Sequence, residues 1–405
     1  MKKLVLFGAG KIGRSFIGQL FSGSGYEVVF IDINEVVINE INRQREYKVV
    51  IKSAMENIII VKNVRGVLGS QKEKVIEEVA SADILATSVG QQGLPHIIPN
   101  IAAGLLKRKV NLPLDIILAE NLRNADQYVK AELKKYLPAD YPIDKLVGLV
   151  ETSIGKMVPI MPKADEEKDI LQVFAEPYNT LILDKRAFKN KIPVVDGLAP
   201  KENMKAWVDG KSYIHNLGHA TTAYIGYLYN PEFIYLYEAL AVPLIKDFVR
   251  KTMLQSAEVL MSKYPGEFTL QHLVDHTDDL ISRFENKALG DTIYRVGCDL
   301  QRKLGRNDRI VSVLMEAIDL NKPYDQILFS LICGFRFRAA DESGKMFFRD
   351  MEFVNMLNEK GFDYVMEKIC GLDIHQHQLI YQKAKHIFMN ISKEYSNLLH
   401  VYTKK

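Results

Sequence analysis

The stretch "KKLVLFGAGKIGRSFIGQLFSGSGYEVVFIDIN", residues 2–34, decides the fold. Residues 3–7 are a short apolar run, which suits a parallel strand buried on both faces. Gly8-x-Gly10-x-x-Gly13 follows at once. Ile12, Phe16, Ile17 and Leu20 then recur at helical spacing, and Gly23 and Gly25 punctuate the helix end. "EVVFID" reads as a second strand ending at Asp32.

Each part has a physical task. Gly8 permits the tight strand-to-helix turn, Gly10 lets the backbone approach a pyrophosphate, and Gly13 lets the helix pack closely on the strand. The helix N-terminus offers free N–H groups and a positive dipole end to phosphates. Asp32 lies 24 residues after Gly8, where a carboxylate accepts hydrogen bonds from ribose hydroxyls and repels a 2′-phosphate. The expected cofactor is therefore NAD. Its expected contacts are Gly8, Ala9, Gly10, Lys11, Ile12 and Gly13 in the turn, with Asp32 and Ile33 at the second strand end. A glycine-rich turn with no ligand accounts for the three glycines but gives no reason for Asp32.

Further apolar runs end in small or polar residues: "NIIIVKNV", "SADILATSVG" (81–90), "LDIILAEN" (114–121) and "KLVGLVETS" (145–153). Strands alternating with helical stretches predict an α/β fold, a Rossmann-type doubly wound parallel sheet. Ligands of such sheets sit beyond the carboxyl ends of the strands. Ser88, Val89, Gly90, Glu120, Asn121 and Ser153 are therefore expected to line the cleft, with Ser88, Val89, Gly90 and Asn121 as cofactor contacts. Past about residue 190 apolar residues recur at three- and four-residue spacing, and an all-helical C-terminal domain is expected. The predicted domains are 1–190, binding NAD, and 191–405, supplying substrate and catalytic groups. "PEFIYLYEALAVPLIKDFVRKTMLQSAEVLMSKY" and "QLIYQKAKHIFMNISKEYSNLLHVY" each read as a long amphipathic helix.

A chain of 405 residues is too long for one ordinary core. A net charge of +3 gives no general support for a nucleic-acid or membrane partner, and no stretch approaches the ~18 apolar residues of a membrane span. Cys298, Cys333 and Cys370 are too few and too scattered for a disulfide framework. These features predict a cytoplasmic protein acting on a small molecule, with the oligomeric state unspecified.

The chemistry concentrates in "KSYIHNLGHA", 211–220. A zinc site needs a third ligand and a carboxylate base beside His215 and His219, and no His-Glu-x-x-His or nearby cysteine supplies them; no metal is expected. The pairs His272/His276 and His375/His377 read as surface histidines. A plain packed helix explains Gly218, Ala220 and Ala223, but not Asn216 and His219 in one apolar segment with Lys211. Metal-free alcohol oxidation by NAD uses all three. A desolvated lysine is the base, an amide holds the reacting oxygen, and a histidine fixes a neighbouring hydroxyl. On a continuous α-helix Lys211, His219 and Asn216 point at about 0°, 80° and 140°. That is too wide for a narrow stripe, though they can line one side of a cleft.

With these residues the chain resembles the polyol-specific long-chain dehydrogenases of the mannitol dehydrogenase family, and among them the mannitol-1-phosphate 5-dehydrogenases. The resemblance covers essentially the whole chain. It rests on "FGAGKIGRSFIG" with "DINEVVINEINR", on "AEN" at 119–121, on K-x4-N-x2-H at Lys211, Asn216 and His219, and on "RFENKALGDTIYRVGCDLQRKL" at 283–304. It implies a zinc-independent NAD enzyme with Lys211 as acid/base, Asn121 and Asn216 as oxyanion donors, and His219 as a substrate contact. The pair it implies is mannitol 1-phosphate and fructose 6-phosphate. The family's Val-Asp-Arg is Ile154-Gly155-Lys156 here, so the carboxylate is missing and the arginine's bidentate geometry is lost. A reductase of an unphosphorylated ketose or sugar acid, and an NAD(H)-binding sensor without turnover, are the alternatives. Arg283, Arg295, Lys303 and Lys156 are candidates for phosphate, against an expectation of ordinary solvated surface cations.

Overall fold

The structure is a computed structural model. It describes all residues except 54–56, 110, 111, 160 and 405, with side chains as far as residue 391. The chain divides into two compact units, Met1–Val208 and Asp209–Lys405.

The first unit is built on strands β1 (Lys3–Phe7), β2 (Glu27–Asp32), β3 (Tyr47–Ile51), β4 (Asn57–Val61), β5 (Val64–Leu68), β6 (Ile84–Thr87), β7 (Leu114–Leu118), β8 (Val147–Ser153), β9 (Val173–Ala175), β10 (Leu181–Asp184) and β11 (Leu198–Lys201). Among the described residues, eight form one sheet in the order β11-β10-β8-β7-β6-β1-β2-β5. Its pairings are parallel except β10 against β8. β1 sits centrally, with Lys3 beside Glu27 on β2 and Leu4 beside Ile84 on β6. Alternate residues of β1 serve opposite faces: Leu4 and Leu6 pack with Phe16 and Phe30, Val5 and Phe7 with Ile98 and Ile116. Burial on both faces explains why β1 reads as an unbroken apolar run from Leu4 to Phe7. β11 carries the sheet past residue 190.

One predicted strand lands elsewhere. "NIIIVKNV" is split at Asn63, whose φ of 55° makes a turn between β4 and β5. β4 joins β3 antiparallel in a separate sheet ordered β4-β3-β9. β4 begins six residues after the end of β3, too soon for the crossover of a dozen or more residues that a parallel pairing needs.

The second unit is helical. Leu217–Tyr229 lies at its centre, buried on nearly every side, as a helix that is apolar all round should be. Gly218 meets Pro243–Lys263 so closely that a Cβ would stand 2.4 Å from Met253 Sδ. The predicted helix over 231–264 is broken into Leu236–Leu240 and Pro243–Lys263, because Pro243 is tolerated only in a first turn. Gln378–Lys404 is a single helix.

Candidate active site

In the first unit the glycine turn has the shape its spacing predicts. Gly8 has φ +101°, and a Cβ there would sit 2.4 Å from the Ser88 carbonyl oxygen. A Cβ on Gly13 would lie 2.1 Å from the Gly8 carbonyl oxygen and 2.9 Å from Ser88 Oγ. Gly10 differs: a Cβ there would meet no heavy atom within 4 Å. Two of the three glycines are therefore required by the protein's own packing, and the third faces open space. The segment Gly13–Gly18 is wound as a π-turn, and buried Tyr47 donates to the Arg14 carbonyl at 2.7 Å.

Asp32 stands at the end of β2. Its carboxylate accepts the Ala9 N–H at 2.6 Å and the Asn34 N–H at 2.9 Å. It thus pins the turn, and a carboxylate's roughly four lone-pair sites leave room for hydroxyl donors. Ile33 beside it is 90% exposed, an apolar side chain standing in water. Ser88 Oγ donates to the Gly8 carbonyl at 3.2 Å. Val89 and Gly90 donate their N–H groups to Glu120 at 3.0 and 2.8 Å. Glu120 is buried, and burial pushes its carboxyl up from the ordinary range. It braces the β6 end through these two amides. Ser153 is also buried, paired with Ile182 of β10. Asn121, just past β7, is exposed. Lys11 and Gly10 are exposed and Ile12 is half-buried.

In the second unit the Lys–Asn–His set is brought together by a winding that the sequence does not announce. Lys211–Asn216 is a π-turn running into the α-helix Leu217–Tyr229. Bonding from i to i+5 puts an extra residue in each turn, so Asn216 comes round much closer to Lys211 than α geometry allows. From 211 to 226, Lys211, Asn216 and His219 are partly accessible and every other residue is buried. The α-helical spread expected between Lys211 and Asn216 is narrowed by this winding.

Burial, with the Arg309 guanidinium, pulls the Lys211 ammonium down to about 8. Burial also holds His219 well below the ordinary histidine value, aided by Arg295, Arg309, Lys303 and Arg283. His219 Nε2 lies 3.0 Å from Asp291 Oδ2, and its ring stacks on Phe284 with centroids 4.7 Å apart. Asp291 also pairs with Arg295. His215 is buried against Phe284. Among the described residues, no group of three or more His, Cys, Asp or Glu is placed to hold a metal.

The expected solvated surface cations are corrected in part. Lys156 is 5% exposed, donates to Asn179 at 2.9 Å and lies over the Phe16 ring. Lys303 is buried and donates to the Val296 carbonyl at 2.7 Å; burial and Arg309 pull it to about 8. His276 is half-buried rather than a surface residue, and burial lowers it to about 4. Sequence reading missed Asp291 and Arg309. The i,i+4 spacing of Asp291 and Arg295 is a visible local pairing, but the reach of Asp291 to His219, 72 residues away, is tertiary.

The first unit is thus a Rossmann-type domain with a glycine turn, and the second a helical domain presenting lysine, asparagine and histidine. Residues 2–197 match the mannitol dehydrogenase Rossmann domain and residues 203–392 the mannitol dehydrogenase C-terminal domain. The chain belongs to the mannitol dehydrogenase family. It is similar in fold to Pseudomonas fluorescens mannitol 2-dehydrogenase, solved with NAD and D-mannitol, at 15% identity and TM-score 0.75, covering 100% of this chain and 94% of that one. Weaker likenesses are to an octopine dehydrogenase (12% identity, TM-score 0.49, 83% and 89% covered) and to 2-dehydropantoate 2-reductase from Geobacter metallireducens (10%, 0.46, 82% and 99%). Among the described residues, no helix is long and apolar enough to cross a membrane.

Proposed function

We propose that this protein is a metal-independent, NAD-dependent dehydrogenase of the cytoplasm that interconverts a polyol phosphate and a ketose phosphate, of the mannitol 1-phosphate and fructose 6-phosphate kind. The observation that carries the hydride-transfer reading is the partial accessibility of Lys211, Asn216 and His219 in an otherwise buried, π-wound segment. The space at Gly10 and the lone-pair capacity of Asp32 fit a dinucleotide. Gly8, Ala9, Gly10, Lys11, Ile12 and Gly13 would hold its pyrophosphate, and Asp32 and Ile33 its adenosine half. Ser88, Val89, Gly90 and Asn121 would follow it along the strand ends.

NAD, when bound, supplies the hydride acceptor. In oxidation Lys211, neutral above about 8, takes the proton of the reacting hydroxyl. In reduction the same group, protonated below about 8, returns a proton to the alkoxide oxygen. Asn216 and Asn121 donate amide hydrogens to that oxygen as charge develops on it. His219, neutral and oriented by Asp291, contacts a neighbouring substrate hydroxyl.

The phosphorylated pair is supported by the field around His219, where Arg283, Arg295, Lys303 and Arg309 all act in the same direction. The second reading, an unphosphorylated ketose or sugar acid, is favoured by Lys156. It stands where the family has arginine and is engaged with Asn179 inside the first unit. Initial rates with NADH across fructose, fructose 6-phosphate and keto-sugar acids decide between them. Preference for fructose 6-phosphate supports the first reading. Tight NADH binding with no turnover on any of them points to a sensor instead.

A further inference from the structure

The π-turn that brings Lys211 and Asn216 together carries a structural cost that can be traced to one carbonyl. In an α-helix the Leu217 N–H would bond to the Tyr213 carbonyl four residues back. Here it bonds to Ser212 O and Ile214 O. The Tyr213 carbonyl is passed over within a buried residue. A buried carbonyl left without a donor is destabilising, because it has lost its bonds to water and gained none in return.

The missing donor comes from another helix. Ser256, fully buried midway along Pro243–Lys263, donates Oγ–H to Tyr213 O at 2.7 Å. A helical serine commonly bonds back to the carbonyl four residues earlier. Thr252, one turn before on the same helix, does so with Phe248 O at 2.8 Å. Ser256 reaches across instead. The Tyr213 ring is held as well, with its hydroxyl 3.1 Å from Ser312 Oγ and 3.2 Å from Lys263 Nζ. Rewinding the turn to α geometry would return the Tyr213 carbonyl to Leu217 and remove its need for the Ser256 hydroxyl.

We propose that the Ser256 hydroxyl is a positioning group that keeps Lys211–Asn216 π-wound, so that Lys211 and Asn216 emerge on one side with His219. This rests on the acid/base reading of Lys211 given above. Ser256 touches neither substrate nor cofactor; it acts through the backbone that places the lysine. The charged and titratable groups around the turn are Arg309, which faces Lys211; Arg283, His219 and His276, which with Lys211 surround His215; and Lys263 and Asp209, which act on Tyr213.

The test uses Ser256→Ala and Ser256→Thr in the full chain, with two readouts. Turnover is followed with NADH and the better of fructose and fructose 6-phosphate. Independently, the titration midpoint of Lys211 is measured from the pH dependence of its acylation by acetic anhydride, read by peptide mass spectrometry. Ser256→Ala is expected to lower kcat about 10- to 100-fold, the scale of a misplaced catalytic group, with the KM for NADH unchanged. It should also move the Lys211 midpoint upward from about 8, as the ammonium turns away from Arg309 and its buried setting. Ser256→Thr, which keeps the hydroxyl, should restore both. Folded Ser256→Ala with wild-type kcat and midpoint overturns the proposal, and so do equal losses in both variants, which would mean packing alone. Where Ser256→Ala yields no folded protein, the near-isosteric weak donor Ser256→Cys is used. A wild-type midpoint and kcat there also overturn it. Lys211→Ala separates the two levels: retained turnover defeats the reading of Lys211, while the acylation midpoint still decides the role of Ser256.

Discussion

Replacing Gly10 with alanine separates the demands of the fold from those of a ligand. The new Cβ meets no heavy atom within 4 Å, and Gly10 has no left-handed φ to forbid it. Gly→Ala at a compatible site stabilises by about 0.4–1 kcal/mol through the unfolded chain. Gly10→Ala should therefore melt at or slightly above the wild-type temperature. The same methyl stands where a pyrophosphate must approach the turn, so NADH affinity should fall about tenfold or more, roughly 1.4 kcal/mol. Gly13→Ala is the control. Its Cβ would lie 2.1 Å from the Gly8 carbonyl oxygen, so the turn must shift. Overpacking of that kind costs about 1–3 kcal/mol, and this variant should lose stability and binding together. Thermal melting and NADH fluorescence titration read both quantities. Wild-type NADH affinity in Gly10→Ala would refute the placement of the pyrophosphate. A loss of stability equal to that of Gly13→Ala would refute the open space.

Three further outcomes are expected. Asp291→Asn removes the carboxylate shared by His219 and Arg295; kcat/KM should fall about tenfold and stability by about 1.5–3 kcal/mol, since bonds to charged groups are worth that much, while NADH binding is unchanged in titration. Asp32→Asn should weaken NADH binding and lessen discrimination against NADPH, because the charge that repels a 2′-phosphate is gone; competitive titration of the two cofactors checks it. Lys156→Ala empties a buried position over Phe16 and unpairs Asn179; it should lower the melting temperature, and an unchanged KM for fructose 6-phosphate in folded protein would show that Lys156 is not the phosphate contact.

The first 34 residues announce their own fold because each step there is local. An apolar run, a glycine turn, a helical period and a second run stand in sequence, and β1 and β2 follow them residue by residue. The two-sided burial of β1 was equally legible, since it needs only the unbroken apolar residues Leu4–Phe7. The place of "NIIIVKNV" was not, because pairing with β3 depends on what lies beside it in space. Lys211, Asn216 and His219 were visible as residue types at a spacing. The closer approach of Asn216 to Lys211 was not, because the sequence-level geometry assumed an α-helix and the turn is π-wound. What sustains that winding, a serine 43 residues further on, leaves no local trace. The hydrogen bonds of Glu120 were hidden for a related reason. Strand-end polar residues look alike in sequence, and only the structure shows this one turned inward onto the Val89 and Gly90 amides.

The most direct test of Lys211 as the acid/base is the pH dependence of turnover in both directions. Burial favours the neutral amine, so the lysine changes state at about 8 instead of near its ordinary 10.5. Reduction needs the protonated form and should decline as pH rises through about 8. Oxidation needs the neutral form and should rise through the same value. Lys211→Ala should abolish both limbs and most of the turnover while binding NADH as the wild type does. Limbs that survive in Lys211→Ala, or that run in the same direction for oxidation and reduction, would contradict the account.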